Sequence, residues 1–203
     1  MRLFVAIVLP PAVAAELARW LEPVQAAAGP GLRWTSPDSW HITLAFLGEV
    51  AEPVLPELCT RLERAARRHP AHDLALRGGG AFPAARLARA VLAVVAAPPG
   101  AAGATGPARA GPLHALAASV AAGARRAGAP PPDEGRRYRP HLTLARPRPP
   151  ADVRPLVASL AGLDIGPWPT ADIRLIRSHL GGSAPGSARY EELAAWPLRE
   201  RPA

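Results

Sequence analysis

The 203-residue chain contains no lysine, has a single cysteine, and shows no long apolar run. Because the Walker A motif requires a lysine, its absence argues against the use of a bound nucleoside triphosphate as an energy source. The lone Cys59 cannot form an intramolecular disulfide and does not indicate an oxidising compartment. A bilayer crossing needs about 20 consecutive apolar residues, and the chain has none. We therefore expect a cytoplasmic protein without a membrane anchor.

All 24 basic residues are arginine, and they give a formal net charge of +8 against 16 acidic residues. The Ala, Pro and Gly content beside them favours a compositional bias of the genome over selection for polyanion binding. Either origin favours encounter with phosphate-bearing substrates. The hydrophobic fraction of 49% is enough for the core of one large domain or of two small lobes.

The N-terminal segment has two interpretations. Arg2, the apolar run 3–9 and the small residues 12–14 resemble a short signal peptide. The run is short for that purpose, and Pro10 and Pro11 end it. The same residues fit better as a buried strand followed by a helix with proline in its first turn.

One four-residue pattern occurs twice in the chain, as His41-Ile42-Thr43-Leu44 and as His141-Leu142-Thr143-Leu144. Side chains alternate between the faces of a strand. Each copy therefore predicts a histidine and a threonine on one face, and apolar residues on the other. In the first copy this alternation also places Phe46 in the core.

A pair of imidazoles on equivalent strands suits acid–base catalysis, because histidine titrates near neutral pH. One ring can act as general base and the other as general acid at the same site. The threonine hydroxyls can donate to oxyanions between the rings, and phosphate oxygens match that layout. A structural role is the ordinary interpretation of one strand histidine, but the doubled pattern favours catalysis.

A metal site and a serine hydrolase are the competing interpretations. Neither motif strand contains Asp or Glu, whereas a catalytic zinc takes three protein ligands. His69, His72 and Asp73 offer ligand types, but Pro70 disrupts their spacing, and a solvated turn is favoured. A Gly-x-Ser-x-Gly elbow is absent. We expect neither a metal nor a cofactor.

Basic and aromatic residues surround the second motif, with Tyr138, Arg139 and Arg146 closest to it. An exposed basic loop is one interpretation. The other is a phosphate-binding region in which guanidinium groups pair with phosphate oxygens and Tyr138 stacks on a base. Trp34 and Trp40 flank the first motif, as core residues or as part of the site.

Helical and strand-like segments mix along the whole chain. Apolar spacing predicts helices over 11–28, 52–68, 113–127 and 152–160, and strands over 3–9, 32–35, 41–46, 73–77, 90–97, 136–146, 173–180 and 190–198. Gly78, Gly79 and Gly80 are predicted to form a loop. The motifs lie 100 positions apart (141 − 41 = 100), as an internal duplication would place them. We expect one α+β domain over 1–203, with lobes 1–97 and 113–203 and a Pro/Gly/Ala-rich connection 98–112.

With these motifs, the chain resembles the RNA 2′,3′-cyclic phosphodiesterase (2′-5′ RNA ligase-like, LigT-like) family of the 2H phosphoesterases. The residues that carry the resemblance are, in chain order, 2–6, Trp34, 41–48, Phe82-Pro83, 138–146, 176–180 and Tyr190-Glu191. It implies a bilobal α+β fold with two pseudo-symmetric antiparallel sheets around a central cleft. It also implies metal-independent hydrolysis of a terminal 2′,3′-cyclic phosphate to a 2′-phosphate, with RNA as the partner.

By motif position, the resemblance implies that His41 is the proton donor and His141 the proton acceptor. Thr43 and Thr143 would hold the phosphate oxygens, with Arg139 and Arg146 as weaker candidates. We expect a monomer. Two alternatives stay open: a non-catalytic module that binds RNA ends, and a related hydrolase acting on 2′-5′ linkages or on ADP-ribose cyclic phosphate.

Overall fold

Strands and helices are interleaved along the computed structural model, which describes residues 1–97, 111–132, 137–180 and 188–201. The predicted connection 98–112 lies mostly outside these described residues. Within them are nine strands and four α-helices, in agreement with the α+β prediction. Their bounds are β1 (Arg2–Val8), α1 (Pro11–Ala27), β2 (Leu32–Trp34), β3 (His41–Glu49), α2 (Leu55–Arg68), β4 (Asp73–Phe82), β5 (Ala90–Ala96), α3 (Pro112–Arg126), β6 (His141–Pro147), α4 (Arg154–Ser159), β7 (Asp164–Pro169), β8 (Asp172–Leu180) and β9 (Ala188–Pro197).

The strands form one antiparallel sheet in the order β7-β4-β5-β6-β3-β1-β8-β9, with β2 paired to β6. The two motif strands, β6 and β3, meet at its centre. We call β7-β4-β5-β6 the first half-sheet and β3-β1-β8-β9 the second. Each half-sheet contains strands from both lobe ranges, 1–97 and 113–203, so these ranges do not coincide with the half-sheets. The N-terminal segment is β1, paired on both sides, which confirms the strand interpretation.

Helices cover one face of the sheet, and the main core lies between them and the strands. In α2, apolar residues recur at helical spacing, and Leu58 and Leu62 are fully buried. Ile42 of β3 and Leu142 of β6 are fully buried on the same face. The other face of the sheet carries a small separate cluster around Phe4. We call it the cleft face.

A β-bulge interrupts the alternation of β3 just after its motif. The pairing with β1 passes from Thr43 directly to Ala45, so Leu44 is the extra residue. Beyond a bulge the faces exchange, and Ala45 is therefore buried while Phe46 is 48% exposed. The prediction of a core position for Phe46 is wrong for this reason.

The same bulge occurs at the equivalent place in β6. Its pairing with β5 passes from Thr143 to Ala145, which leaves Leu144 as the extra residue. Arg146 is exposed, as Phe46 is in β3, and the burial patterns of the two strands agree over their first seven residues. Arg146 consequently lies on the same face as the histidine and threonine that precede it.

Two further elements differ from the prediction. Gly78, Gly79 and Gly80 lie inside β4, where the pairing with β5 is irregular, and not in a loop. Strand β7 was not predicted, because its Gly-Pro-Trp-Pro sequence carries the residues that usually end a strand. It lies at the edge of the sheet, where a missing N–H donor is tolerated. None of the helices in the described part of the chain has the length and apolar character needed to cross a membrane.

Candidate active site

The two motifs meet at the junction of the half-sheets, where Ile42 lies opposite Leu142 in antiparallel register. An antiparallel pair has a local twofold axis. That axis relates the first motif to the second, and both motif pairs lie on the cleft face. The four side chains are half-buried there: His41, Thr43, His141 and Thr143. The predicted convergence of the motifs on one face is thus present in the structure.

Each imidazole is oriented by a backbone carbonyl two residues before it. The Nδ1 of His41 lies 2.8 Å from the carbonyl oxygen of Ser39, and the Nδ1 of His141 lies 2.8 Å from that of Arg139. A carbonyl oxygen can only accept a hydrogen bond, so Nδ1 carries the proton and donates it. The Nε2 atom of each ring is left to accept a proton or, when protonated, to donate one.

Aromatic rings hold both imidazoles from the side. The centroid of His41 lies 4.8 Å from that of Phe4 and 5.2 Å from that of Tyr190, and the Tyr190 ring is perpendicular to it. His141 has the edge of Phe82 at 5.0 Å. Contacts at such distances add packing energy beyond area burial. They also limit the tilt of each ring, so that the direction of Nε2 is well defined.

The pKa of both imidazoles is lowered. For His41 burial is the main cause, and the positive charges of His141 and Arg146 add to it. Burial also lowers the pKa of His141, again with Arg146 adding to it. In each ring the hydrogen bond to the carbonyl acts in the opposite direction but is outweighed. Both rings are therefore neutral at pH 7 in the free protein.

Two of the predicted arginines lie beside the imidazoles. Arg146 is exposed on the cleft face of β6, and its positive charge acts on both His41 and His141. Arg139 is exposed, with its guanidinium carbon 6.0 Å from the centroid of Phe82, the ring that packs on His141. Both positions suit an anion held between the two rings.

Tyr138 is partly buried against the main core. Its hydroxyl donates to the carbonyl oxygen of Thr43 at 3.1 Å, and burial raises its pKa. Its ring packs against the core and meets the ring of His114, on α3, at 5.4 Å. Because α3 lies on the helix-covered face, we assign Tyr138 a structural role that ties the segment before β6 to β3. These contacts favour the structural role over base stacking, which stays a prediction.

The other histidines have local partners away from the motifs. His69 Nε2 lies 2.7 Å from the Ser119 hydroxyl, and His72 Nδ1 donates to the carbonyl of Pro70. Among the described residues, no three side chains of the kinds His, Cys, Asp and Glu are grouped closely enough to hold a metal. His179 pairs with Glu191 at 2.6 Å. Trp40 is buried in the core, and Trp34 packs against it.

Sequence reasoning missed the aromatic residues of the site. Phe4 and Tyr190 come from opposite ends of the chain and reach His41 only because β1 lies between β3 and β8, with β9 beyond. Phe46 completes the group, with its ring centroid 6.0 Å from that of Phe4. Strand parity identifies Phe4 as a residue on the opposite face from Leu3 and Val5, but strand order is needed to bring it to the histidine.

Comparison with known proteins shows the family of the chain. A family model described as "LigT like Phosphoesterase" matches residues 7–92 and 106–185. The chain belongs to the LigT-like phosphoesterase family. It is 35% identical to a Thermus thermophilus protein named RNA 2′,3′-cyclic phosphodiesterase, over 91% of this chain and 85% of that protein. An Aeropyrum pernix protein of the same name is 32% identical over 79% of this chain and 84% of its own length.

Solved structures of the family have the same fold. The crystal structure of the Thermus thermophilus protein TT0787 superposes with a TM-score of 0.75 at 29% identity, covering 98% of this chain and 99% of that one. The crystal structure of E. coli LigT complexed with 3′-AMP gives a TM-score of 0.68 at 27% identity, with 97% of each chain covered. The LigT-like fold expected from the sequence is thereby confirmed.

Proposed function

We propose that this protein hydrolyses the terminal 2′,3′-cyclic phosphate of RNA to a 2′-phosphate, with a histidine pair and without a metal. The observation that carries the proposal is the pair of imidazoles on one cleft face, each with Nδ1 bound to a carbonyl and Nε2 left for proton transfer. The relatives named RNA 2′,3′-cyclic phosphodiesterase support the reaction. The LigT complex with 3′-AMP supports a nucleotide as ligand.

The reaction is an in-line displacement at phosphorus. The Nε2 atom of His141 takes a proton from water as its oxygen attacks the cyclic phosphate. The bond from phosphorus to O3′ breaks, and His41 gives a proton from Nε2 to that leaving oxygen. The products are a 2′-phosphate and a free 3′-hydroxyl, and one proton passes back from His141 to His41 through solvent. Each proton transfer contributes roughly 10²- to 10⁴-fold to the rate.

The remaining side chains of the site stabilise charge on the phosphate. Thr43 and Thr143 lie on the same strands and the same face as the histidines, and their hydroxyls donate to the non-bridging oxygens. Arg146 and Arg139 add positive charge from the β6 side. Donors fixed in place before the reaction are effective because they need no reorganisation as charge develops.

The protonation state of the free cleft suits the base, whereas the acid must gain its proton when the substrate binds. Burial lowers the pKa of His141 and keeps its ring neutral, as a base requires. His41 must be protonated to act as the acid, and its pKa is also lowered in the free protein. The negative phosphate raises that pKa when it binds, since an opposite charge favours the protonated ring. Substrate binding therefore favours protonation of His41, the general acid.

A 5′-hydroxyl in place of water would give a 2′-5′ phosphodiester by the same displacement, without a further cofactor. We expect this ligation to be unfavourable in water. The protein would then act chiefly as a hydrolase. The proposal also includes a monomeric state.

The proposal is tested by multiple-turnover hydrolysis of an oligoribonucleotide that ends in a 2′,3′-cyclic phosphate, in the presence of EDTA. We expect turnover unchanged by the chelator, and a 2′-phosphate as the product identified by phosphorus NMR. Binding without turnover would favour the non-catalytic module. Loss of activity on chelation, restored by one divalent ion, would contradict the acid–base mechanism. Preferential cleavage of 2′-5′ linkages or of ADP-ribose cyclic phosphate would point to the related hydrolase.

A further inference from the structure

Three arginines form a row on the cleft face beside the two motifs. Arg33 of β2 lies directly opposite Arg146 of β6, and paired residues of an antiparallel ladder point to the same face. Arg148 follows two residues after Arg146, and its backbone N–H donates to the carbonyl of Gly31 at 3.0 Å. Arg33 is half-exposed, and the other two are exposed.

The row is continuous with the His41 side of the cleft. The positive charges of Arg148 and Arg146, after burial, lower the pKa of Arg33, so the three guanidinium groups act on one another. Arg146 and Arg33 also act on the hydroxyl of Tyr190, whose ring packs against His41. Arg146 follows the second motif on β6 and also belongs to the row, so a ligand held between the histidines reaches the row when it extends past Arg146.

The positive charges of the row suit a ligand with several phosphates. The guanidinium fork matches phosphate oxygens, so each arginine of the row can pair with one phosphate. Arg146 lies in β6 and Arg148 just beyond its end, so the two arginines are close enough along the chain to contact neighbouring phosphates of one strand.

We propose that Arg33 and Arg148 bind the backbone phosphates of the nucleotides that precede the reacting end, so that the protein selects an oligonucleotide over a cyclic mononucleotide. This inference rests on the proposed function and specifies its substrate class. A 2′,3′-cyclic phosphate lies at the 3′ end of a strand, so the rest of the strand leaves through the 5′ oxygen of the terminal nucleotide. The row lies just outside the two motifs, and our proposal directs the departing strand along it.

The test compares kcat/KM for a ten-nucleotide RNA ending in a 2′,3′-cyclic phosphate with kcat/KM for the cyclic mononucleotide. We expect the Arg33→Ala/Arg148→Ala variant to lower this ratio by about 2- to 30-fold, as the loss of two exposed ion pairs predicts. The slope of log kcat/KM for the decamer against log salt should become shallower by about 1.4, since each phosphate contact on a single strand contributes about 0.7.

Two further variants separate charge from fold. Arg19→Ala/Arg64→Ala removes the same charge from exposed positions of α1 and α2, on the helix-covered side. It should leave both the ratio and the salt slope unchanged. Arg33→Lys/Arg148→Lys retains the charge and should restore the slope. An unchanged ratio in Arg33→Ala/Arg148→Ala, or an equal fall in the Arg19/Arg64 control, would overturn the inference.

Binding of a 2′-phosphorylated decamer, followed by fluorescence anisotropy, distinguishes this inference from the proposed function. If the wild-type protein hydrolyses neither substrate but loses decamer affinity with Arg33→Ala/Arg148→Ala, the hydrolase proposal fails and the oligonucleotide site stands. If both substrates are hydrolysed with the same ratio in wild type and variant, the hydrolase proposal stands and the oligonucleotide site is refuted.

Discussion

Replacing His141 with alanine separates catalysis from folding in this protein. The change removes one hydrogen bond to the carbonyl of Arg139, about 1 kcal/mol, and one ring contact with Phe82, about 0.5–1.5 kcal/mol. A total of about 1–3 kcal/mol is small beside the roughly 5–15 kcal/mol of a typical domain. The melting temperature should fall by roughly 2–12 °C, at about 2–4 °C per kcal/mol. The variant should therefore stay folded at 25 °C.

The expected loss of activity is far larger than the loss of stability. Removing the general base should lower kcat by roughly 10²- to 10⁴-fold, which corresponds to about 3–5 kcal/mol of transition-state stabilisation at 1.36 kcal/mol per tenfold. His41→Ala should cost a similar factor. The double variant should fall well short of the product of the two losses, because an acid without its base already runs a different, slower reaction.

The assay measures initial rates of hydrolysis on a cyclic-phosphate oligonucleotide at 25 °C, with circular dichroism melts of every variant. His179→Ala is the matched control, since this histidine has its own partner in Glu191 and lies outside the motifs. Its kcat should stay within about twofold of wild type, as for most surface changes. Near-normal turnover in His141→Ala would refute the pairing of the two histidines and leave the second motif as a structural relic of duplication.

Two further outcomes follow from the site. Because the pKa of each imidazole is lowered in the free protein, the pH profile of kcat/KM should be bell-shaped with a maximum below about pH 6.5. In the pH profile of kcat both limbs should move to higher pH, since the bound phosphate favours the protonated rings. A kcat/KM maximum well above pH 7 would contradict the burial of the two imidazoles. Tyr138→Phe removes the hydrogen bond to the carbonyl of Thr43, so thermal melts should show a free energy of unfolding lower by about 1 kcal/mol, with KM unchanged. A raised KM at unchanged stability would instead support the base-stacking interpretation.

Strand parity predicted the centre of the site correctly and failed a few residues further on. From His41 to Thr43 the strand is regular, so alternation alone places both side chains on one face. At Leu44 the bulge adds one residue, and the rule then assigns Phe46 to the wrong side. The extra residue is a leucine, which carries none of the glycine signal that marks some bulges. Only the pairing with a neighbouring strand reveals the change of face.

Glycine and proline misled the prediction for a related reason. Gly79 is required inside β4 because a Cβ there would lie 2.5 Å from the Cβ of Leu160, so the residue marks close packing and not a loop. Gly78 has a φ of +64°, which suits the irregular pairing nearby. Pro167 and Pro169 are tolerated because β7 is an edge strand. Each of these meanings depends on a tertiary neighbour that a single sequence does not contain.

The two equivalent bulges also determine how the site treats the two ends of a ligand. The twofold axis at Ile42 and Leu142 gives both motifs the same backbone, and the bulges bring the fifth residue after each histidine to the cleft face. That residue is Phe46 in one strand and Arg146 in the other. A molecule bound across the axis meets an apolar ring on one side and a permanent positive charge on the other. A symmetric scaffold thereby acquires polarity, and a nucleotide, with its flat base and its charged phosphate, has one preferred direction in it.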